Sequence, residues 1–213
     1  MDWKQFANLI IDNIEGGYYH PDMKAKLKNG DAMGISGETL FGMDRLNGGE
    51  LMKTADGVKF WSLADSIFQN HHGDTAWYNY KPGGAAGQEL RRLAGRMMLT
   101  QYEKYTAKYL SAAARSAVNK SPKLQLHFFY ACWNGPKAFE YYAGKINSAV
   151  SAGTTSEAAL LDVAYNSRKN YISQSAEPVK KCWGLIKSGG SWWPWLIAAA
   201  AVVALLRNSR GGA

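Results

Sequence analysis

A mostly α-helical fold is predicted by three observations. Apolar residues recur at steps of three and four through most of the chain. No stretch sustains the period-two alternation of a half-buried strand. Helix-start signals such as Ser121-Pro122 and Thr155-Ser156-Glu157 stand at the head of periodic runs. The 213 residues suffice for one good-sized domain, or a domain with a small appendage, and 46% hydrophobic against 20% charged residues is a globular balance that excludes disorder throughout.

Residues 1–15 form the first predicted helix, since Trp3, Phe6, Ile10 and Ile14 share one face. It is expected to stop at Gly16-Gly17 through a left-handed glycine. Glu15 then sits in the last turn, where the negative end of the helix dipole disfavours its charged form. An apolar wall, Tyr18 or a face containing Ile14, would raise its pKa further. A carboxyl held protonated near neutral pH is what a general acid requires. A solvated helix-end glutamate before a glycine cap is the plain alternative.

Residues 16–47 are loop-rich, with six glycines and the Asn29-Gly30 turn signal. A long irregular segment inside a compact domain is usually functional. It holds Asp22, Asp31, Thr39 and Asp44, and Asp44-Arg45 also fits an ordinary ion pair or cap. Lys24, Lys26 and Lys28 fit either a solvated loop or a basic patch.

From Glu50 to Asn70 one or two short helices are predicted, interrupted at Asp56-Gly57, and His71-His72-Gly73-Asp74 ends the run. Trp77-Tyr78-Asn79-Tyr80-Lys81-Pro82-Gly83-Gly84 resembles a ligand-facing aromatic loop or a packed turn. Gln88–Ala117 is a long helical stretch with room for one break, and Met97-Met98 belong to its core face. Ser121-Pro122 opens a helix through Trp133 that is apolar enough to be buried. Asn134-Gly135-Pro136 is a turn that either places Asn134 in a cleft or merely joins two helices. Phe139, Tyr142, Ile146 and Val150 line the next helix, and Ser156–Lys187 holds two more.

The net charge of +8 favours anionic partners, namely wall polymers, anionic lipid or nucleic acid. No nucleic-acid module is present, so nucleic acid ranks low. Cys132 and Cys182 are expected as free thiols on buried helix faces. His20, His71, His72 and His127 lack metal-ligand spacing, so no metal site is expected. No apolar run follows Met1-Asp2-Trp3-Lys4, and no cleavable signal peptide is expected.

Ser188-Gly189-Gly190-Ser191 is a flexible linker. Residues 192–206 carry no charge, begin with Trp192, Trp193 and Trp195, and are followed by Arg207 and Arg210. Aromatic and basic ends suit the two interfaces of a short membrane-spanning helix, although the run falls below the roughly 20 residues of an ordinary span. The expected partner of residues 192–206 is thus a lipid membrane.

Glu15-Gly16-Gly17-Tyr18 after an amphipathic N-terminal helix resembles the opening motif of phage and bacterial N-acetylmuramidases of glycoside hydrolase family 108. Gly37-Glu38-Thr39-Leu40-Phe41-Gly42-Met43 is similar to the Gly-x-Thr-x-Tyr-Gly-Ile segment of that family. Phe41 replaces the tyrosine, and the connection from Asp22 is longer and richer in lysine. Trp133–Ala138 resembles the family's helix-to-Asn-x-Gly turn. Arg168-Lys169-Asn170-Tyr171, Pro178 and Cys182-Trp183-Gly184 resemble the peptidoglycan-binding helices that often follow.

The resemblance implies a lysozyme-like helical domain with a long N-terminal active-site loop, cleaving the glycan strands of peptidoglycan without a cofactor. Glu15 is the implied catalytic acid and Thr39 the residue orienting water, with Asp22, Asp31 and Asp44 as alternatives for that second role. Tyr18, Asp22, Phe41 and Asn134 are the implied substrate contacts. The expected organisation is a catalytic domain over 1–150, a peptidoglycan-binding-like segment over 151–187, a linker over 188–191, the hydrophobic helix over 192–206 and a basic tail over 207–213. Such a chain would be phage-encoded and act at the host inner membrane or an internal virion membrane, beside virion proteins. A lytic transglycosylase, a non-catalytic virion structural protein and a holin-like role for the tail are the rival readings.

Overall fold

The computed structural model describes residues 1–27 and 37–186, and the protein is mostly helical. Lys28, Asn29-Gly30, Asp31 and the expected C-terminal hydrophobic helix lie outside the described residues. Among the described residues, no helix is long and apolar enough to cross a membrane.

Helix α1 runs Trp3–Asn13, with the Asp2 carboxylate accepting from the Gln5 amide at 3.0 Å as its cap. It ends earlier than expected. The amides of Ile14 and Glu15 both reach the Ile10 carbonyl, and neither Gly16 nor Gly17 is left-handed. A 3₁₀ turn, Pro21–Lys26, follows. Strands β1 (Thr39–Leu40) and β2 (Met43–Asp44) pair antiparallel, with Thr39 opposite Asp44 and Leu40 opposite Met43. Their two-residue turn, Phe41-Gly42, has both φ angles positive, at 54° and 72°. That is the twist-matched hairpin turn, and strands of two residues are too short to show alternation in the sequence.

Helix α2 (Glu50–Lys53) and α3 (Ala55–Phe68) divide at Thr54 rather than at Asp56-Gly57. The Thr54 hydroxyl accepts the Gly57 amide at 3.1 Å, so the side chain that can cap sets the boundary. Helix α4 (Gly84–Tyr109) and α5 (Ala112–Lys120) contain the single predicted break, with Ser111 as cap. Helix α6 (Pro122–Ala131) starts at the predicted Ser-Pro and is buried from Leu124 to Ala131. Helices α7 (Pro136–Ser151), α8 (Glu157–Tyr171) and α9 (Ala176–Leu185) complete the order.

The apolar face of α1 packs on α4, α6 and α9, while α4 also meets α3 and α7, and α7 meets α8. Phe6 of α1 approaches Phe129 of α6 with ring centroids 6.0 Å apart. Burying such a ring stabilises by about 1.5–3 kcal/mol. Leu160, Ala164, Val179, Cys182 and Trp183 belong to the same core as Phe6, Leu90 and Phe139. Residues of the expected binding segment 151–187 thus share the core of residues 1–150. Cys132 and Cys182 are free and buried, as predicted.

Candidate active site

Gly17 owes its place to close approach, not to helix capping. The chain turns away from α1 and runs beside residues 78–80: the Tyr18 amide donates to the Tyr80 carbonyl at 2.9 Å, and the Asn79 amide to the Tyr18 carbonyl at 2.8 Å. A Cβ on Gly17 would collide with the main chain of Asn79 and Tyr80. The Gly17 amide donates to Asn79 Oδ1 at 2.6 Å, and Asn79 takes a positive φ of 60° to present it. On the other side, Tyr19 and Thr39 exchange two main-chain hydrogen bonds of 2.9 Å. This ladder places the end of α1 against the hairpin.

Glu15 projects from that junction and is only partly exposed. A pocket of about 290 Å³ is lined by Glu15, Tyr19, Thr39, Gly42, Asp44 and Asn79, among others. A second, of about 530 Å³, is lined by Gln101, Lys104, Trp133 and Asn134 among others, and shares Gly42 and Asp44 with the first. The two pockets adjoin at the hairpin and together are termed the groove. The Trp133 indole donates to the Phe41 carbonyl at 2.9 Å and so fixes the hairpin turn to the end of α6.

Burial raises the Glu15 pKa to about 7, against the opposing pull of a Tyr130 hydrogen bond and of the Lys81 and Arg168 charges. Desolvation wins although three groups favour the carboxylate. The sequence-based expectation of a raised pKa has the same direction but a different origin, since the helix has already ended before Glu15.

Behind Glu15 stands a chain of donors. Arg168, fully buried, donates from Nη1 to Asn134 Oδ1 at 3.0 Å and to Ser175 Oγ at 3.2 Å, and from Nη2 to the His127 carbonyl at 3.1 Å. Its guanidinium lies between the rings of Tyr130 and Tyr142, 4.7 and 4.6 Å from their centroids. Asn134 hydrogen-bonds Tyr130, and the Tyr130 hydroxyl bonds Glu15. Burial pushes the Tyr130 phenol up and keeps it a donor. Burial, then the Arg168 charge, pushes His127 well below its ordinary value, so a neutral imidazole lies beside the guanidinium. Lys81 donates to the Ile11 carbonyl at 2.5 Å near the same carboxyl.

The predicted site residues divide. Glu15 and Thr39 line one pocket, as does Asp44. Asn134 lines the adjoining one while holding Arg168. Tyr18 touches the pocket, but its ring is buried, stacked on Phe68 at 3.8 Å, and its hydroxyl donates to Glu38 at 3.2 Å. The Phe41 ring is also buried; its contribution to the groove is its main-chain turn. Asp22 lies elsewhere, exposed beside His20. Asp44 is a loop cap: Oδ1 accepts the amides of Leu46 and Asn47 at 2.9 and 2.8 Å, and Oδ2 accepts Asn47 Nδ2 at 2.8 Å. The ion pair of Arg45 runs instead to Glu38 and Asp65, at 2.9 and 2.7 Å.

Of the aromatic loop, Tyr78 and Asn79 face the pocket, whereas Trp77 and Tyr80 pack edge-on against Phe68. Tyr130 had no site signal in the sequence; Lys81 stood in the expected aromatic loop and Arg168 in the segment resembling wall-binding helices, and neither was expected beside Glu15. No family model, curated protein or solved structure matches the chain.

Proposed function

We propose that the groove cleaves glycosidic bonds in the glycan strands of peptidoglycan, with Glu15 as general acid. The observation that carries this reading is a carboxyl poised at about 7 on the wall of a groove, facing a hairpin. In its protonated form Glu15 donates to the bridging oxygen as the bond to the sugar ring breaks. A positioned acid contributes about 10²–10⁴-fold to such a step. The Thr39 hydroxyl, on the same pocket, orients the attacking water. The resemblance of Glu15–Tyr18 and Gly37–Met43 to the muramidase motifs supports the assignment. The uncharged run 192–206 would tether the phage-encoded enzyme to a membrane, within the virion or at the host.

The deciding experiment is turbidity clearance of peptidoglycan by the full chain beside Glu15→Gln. The variant is expected to lose at least about 10²-fold with its circular dichroism unchanged. Equal clearance by both proteins would sink the assignment.

One observation favours a second reading. Glu15 and Asp44 are the carboxylates among the described lining of that pocket, and both Asp44 oxygens are engaged. A lytic transglycosylase needs one acid and no water-activating carboxylate. Mass spectrometry of the released fragments decides: hydrated reducing ends mean hydrolysis, anhydro ends mean transglycosylation.

A further inference from the structure

Away from the groove, the fold brings His72 against the neighbouring pair His20 and Asp22. His20 caps the 3₁₀ turn Pro21–Lys26, its Nδ1 accepting the Asp22 amide at 3.2 Å. His72 comes from the loop after α3, and its ring stacks on that of His20 with centroids 4.1 Å apart and planes 7° apart. The Asp22 carboxylate lies 3.4 Å from His20 Nδ1. One ligand atom from each of the three lies within 4.8 Å of the other two. The His72 Nε2 is buried without a hydrogen-bond partner, a cost that ring stacking does not relieve.

We propose that His20, Asp22 and His72 bind a divalent transition-metal ion of the zinc type. Two imidazoles and one carboxylate are the donor set such an ion takes, and one that magnesium or calcium does not favour. Ligands of a four-coordinate ion, each about 2.1 Å from it, lie about 3.4 Å apart. The widest separation in the trio must therefore contract by up to about 1.4 Å, and the stacked rings must splay so that both lone pairs converge. The exposed Asp22 side chain and rotation of the rings supply that movement.

Lys26 bonds the Gly73 carbonyl at 2.8 Å close by, so the two segments are already joined, and its charge opposes a cation. The Asp22 carboxylate offsets that repulsion. The ion would be structural: it would fasten the segment carrying Tyr18 and Tyr19 to the end of α3. Neither His20, Asp22 nor His72 lines the groove.

The test uses the full, untagged chain stripped with a chelator, titrated with Zn²⁺ by calorimetry and with Co²⁺ by visible absorption. Expected are one ion per chain, a four-coordinate Co²⁺ spectrum, no binding of Mg²⁺, and a Zn²⁺-dependent rise in Tm. His72→Ala should abolish all of these, while His71→Ala should leave them intact. Asp22→Asn, on an exposed side chain that leaves the core untouched, should weaken binding by about tenfold or more, since even outer partners of metal ligands carry that much. No saturable binding of Zn²⁺ at micromolar concentration, or a Co²⁺ spectrum unchanged in both His72→Ala and Asp22→Asn, would overturn the proposal.

Discussion

The Glu15 carboxyl occupies the space in which a side chain on Gly42 would begin. A Cβ there would overlap Glu15 Oε2 and stand 3.0 Å from Trp133 Cδ1. Gly42 also holds a φ of 72°, so two independent constraints select glycine. Gly42→Ala should destabilise by about 1–2 kcal/mol through its backbone alone, and should displace Glu15. A misplacement of about 1 Å costs on the order of 10² in rate. Gly49→Ala is the control, because Gly49 has a φ of 58° but nothing within 4 Å of its missing Cβ. Both variants should lose Tm, and only Gly42→Ala should lose wall clearance.

In the proposed reaction, the proton on Glu15 sets an alkaline limit. The active form is the protonated one, so the rate should fall as pH rises through about 7. Tyr130→Phe removes the hydrogen bond that favours the carboxylate, and Arg168→Met removes a positive charge that does the same. Both should move that limb to higher pH. Rate profiles of the three proteins check this; a limb unmoved in both variants would separate Glu15 from the donor chain behind it.

The same shift predicts a stability that depends on pH. The ordinary Glu15 value is 4.5 and the folded value about 7, so the folded state keeps a proton that the unfolded chain releases. Its contribution to stability therefore declines as pH rises across that window, by about 3 kcal/mol at most. Glu15→Gln should raise Tm above pH 7 and leave it nearly unchanged at pH 4. Thermal unfolding at the two pH values would reveal the difference, and an equal Tm gain at both would contradict it.

Glu38 is buried and accepts from Tyr18 and Arg45, and Arg45 also grips Asp65 with two hydrogen bonds of 2.7 and 2.9 Å. Arg45→Leu should cost about 2 kcal/mol, the value of a hydrogen bond to a charged buried group. Replacing Glu38 by Leu in that background should recover part of it, because the unpaired buried charge goes too. Denaturant midpoints of the single and double variants measure the recovery.

Local chemistry explains what the sequence made legible. Trp3, Phe6 and Ile10 mark α1, Ser121-Pro122 marks the start of α6, and the uninterrupted apolar run from Phe128 marks its burial, because each signal acts within a few residues. Glu15, Thr39 and Asn134 reached the groove through motif resemblance. Gly17 shows where such reading ends: the glycine is visible, but the Asn79 main chain that demands it is not. Tyr130, Lys81 and Arg168 gather on Glu15 from three separate elements, and His72 reaches His20 in the same way. No spacing along the chain encodes those meetings.

Arg168 and α9 have a consequence for the order in which the protein becomes competent. Glu15 is synthesised before α8 and α9, yet its donor chain ends on α8 and α1 is covered in part by α9, with Cys182 near the Leu9 carbonyl. A nascent chain that lacks these helices has the acid but not the surroundings that tune it. Closing contacts over such sequence distances is slow compared with local helix formation. The lytic competence proposed for this chain would then be withheld by vectorial synthesis itself, and appear only after α8 and α9 have emerged and docked.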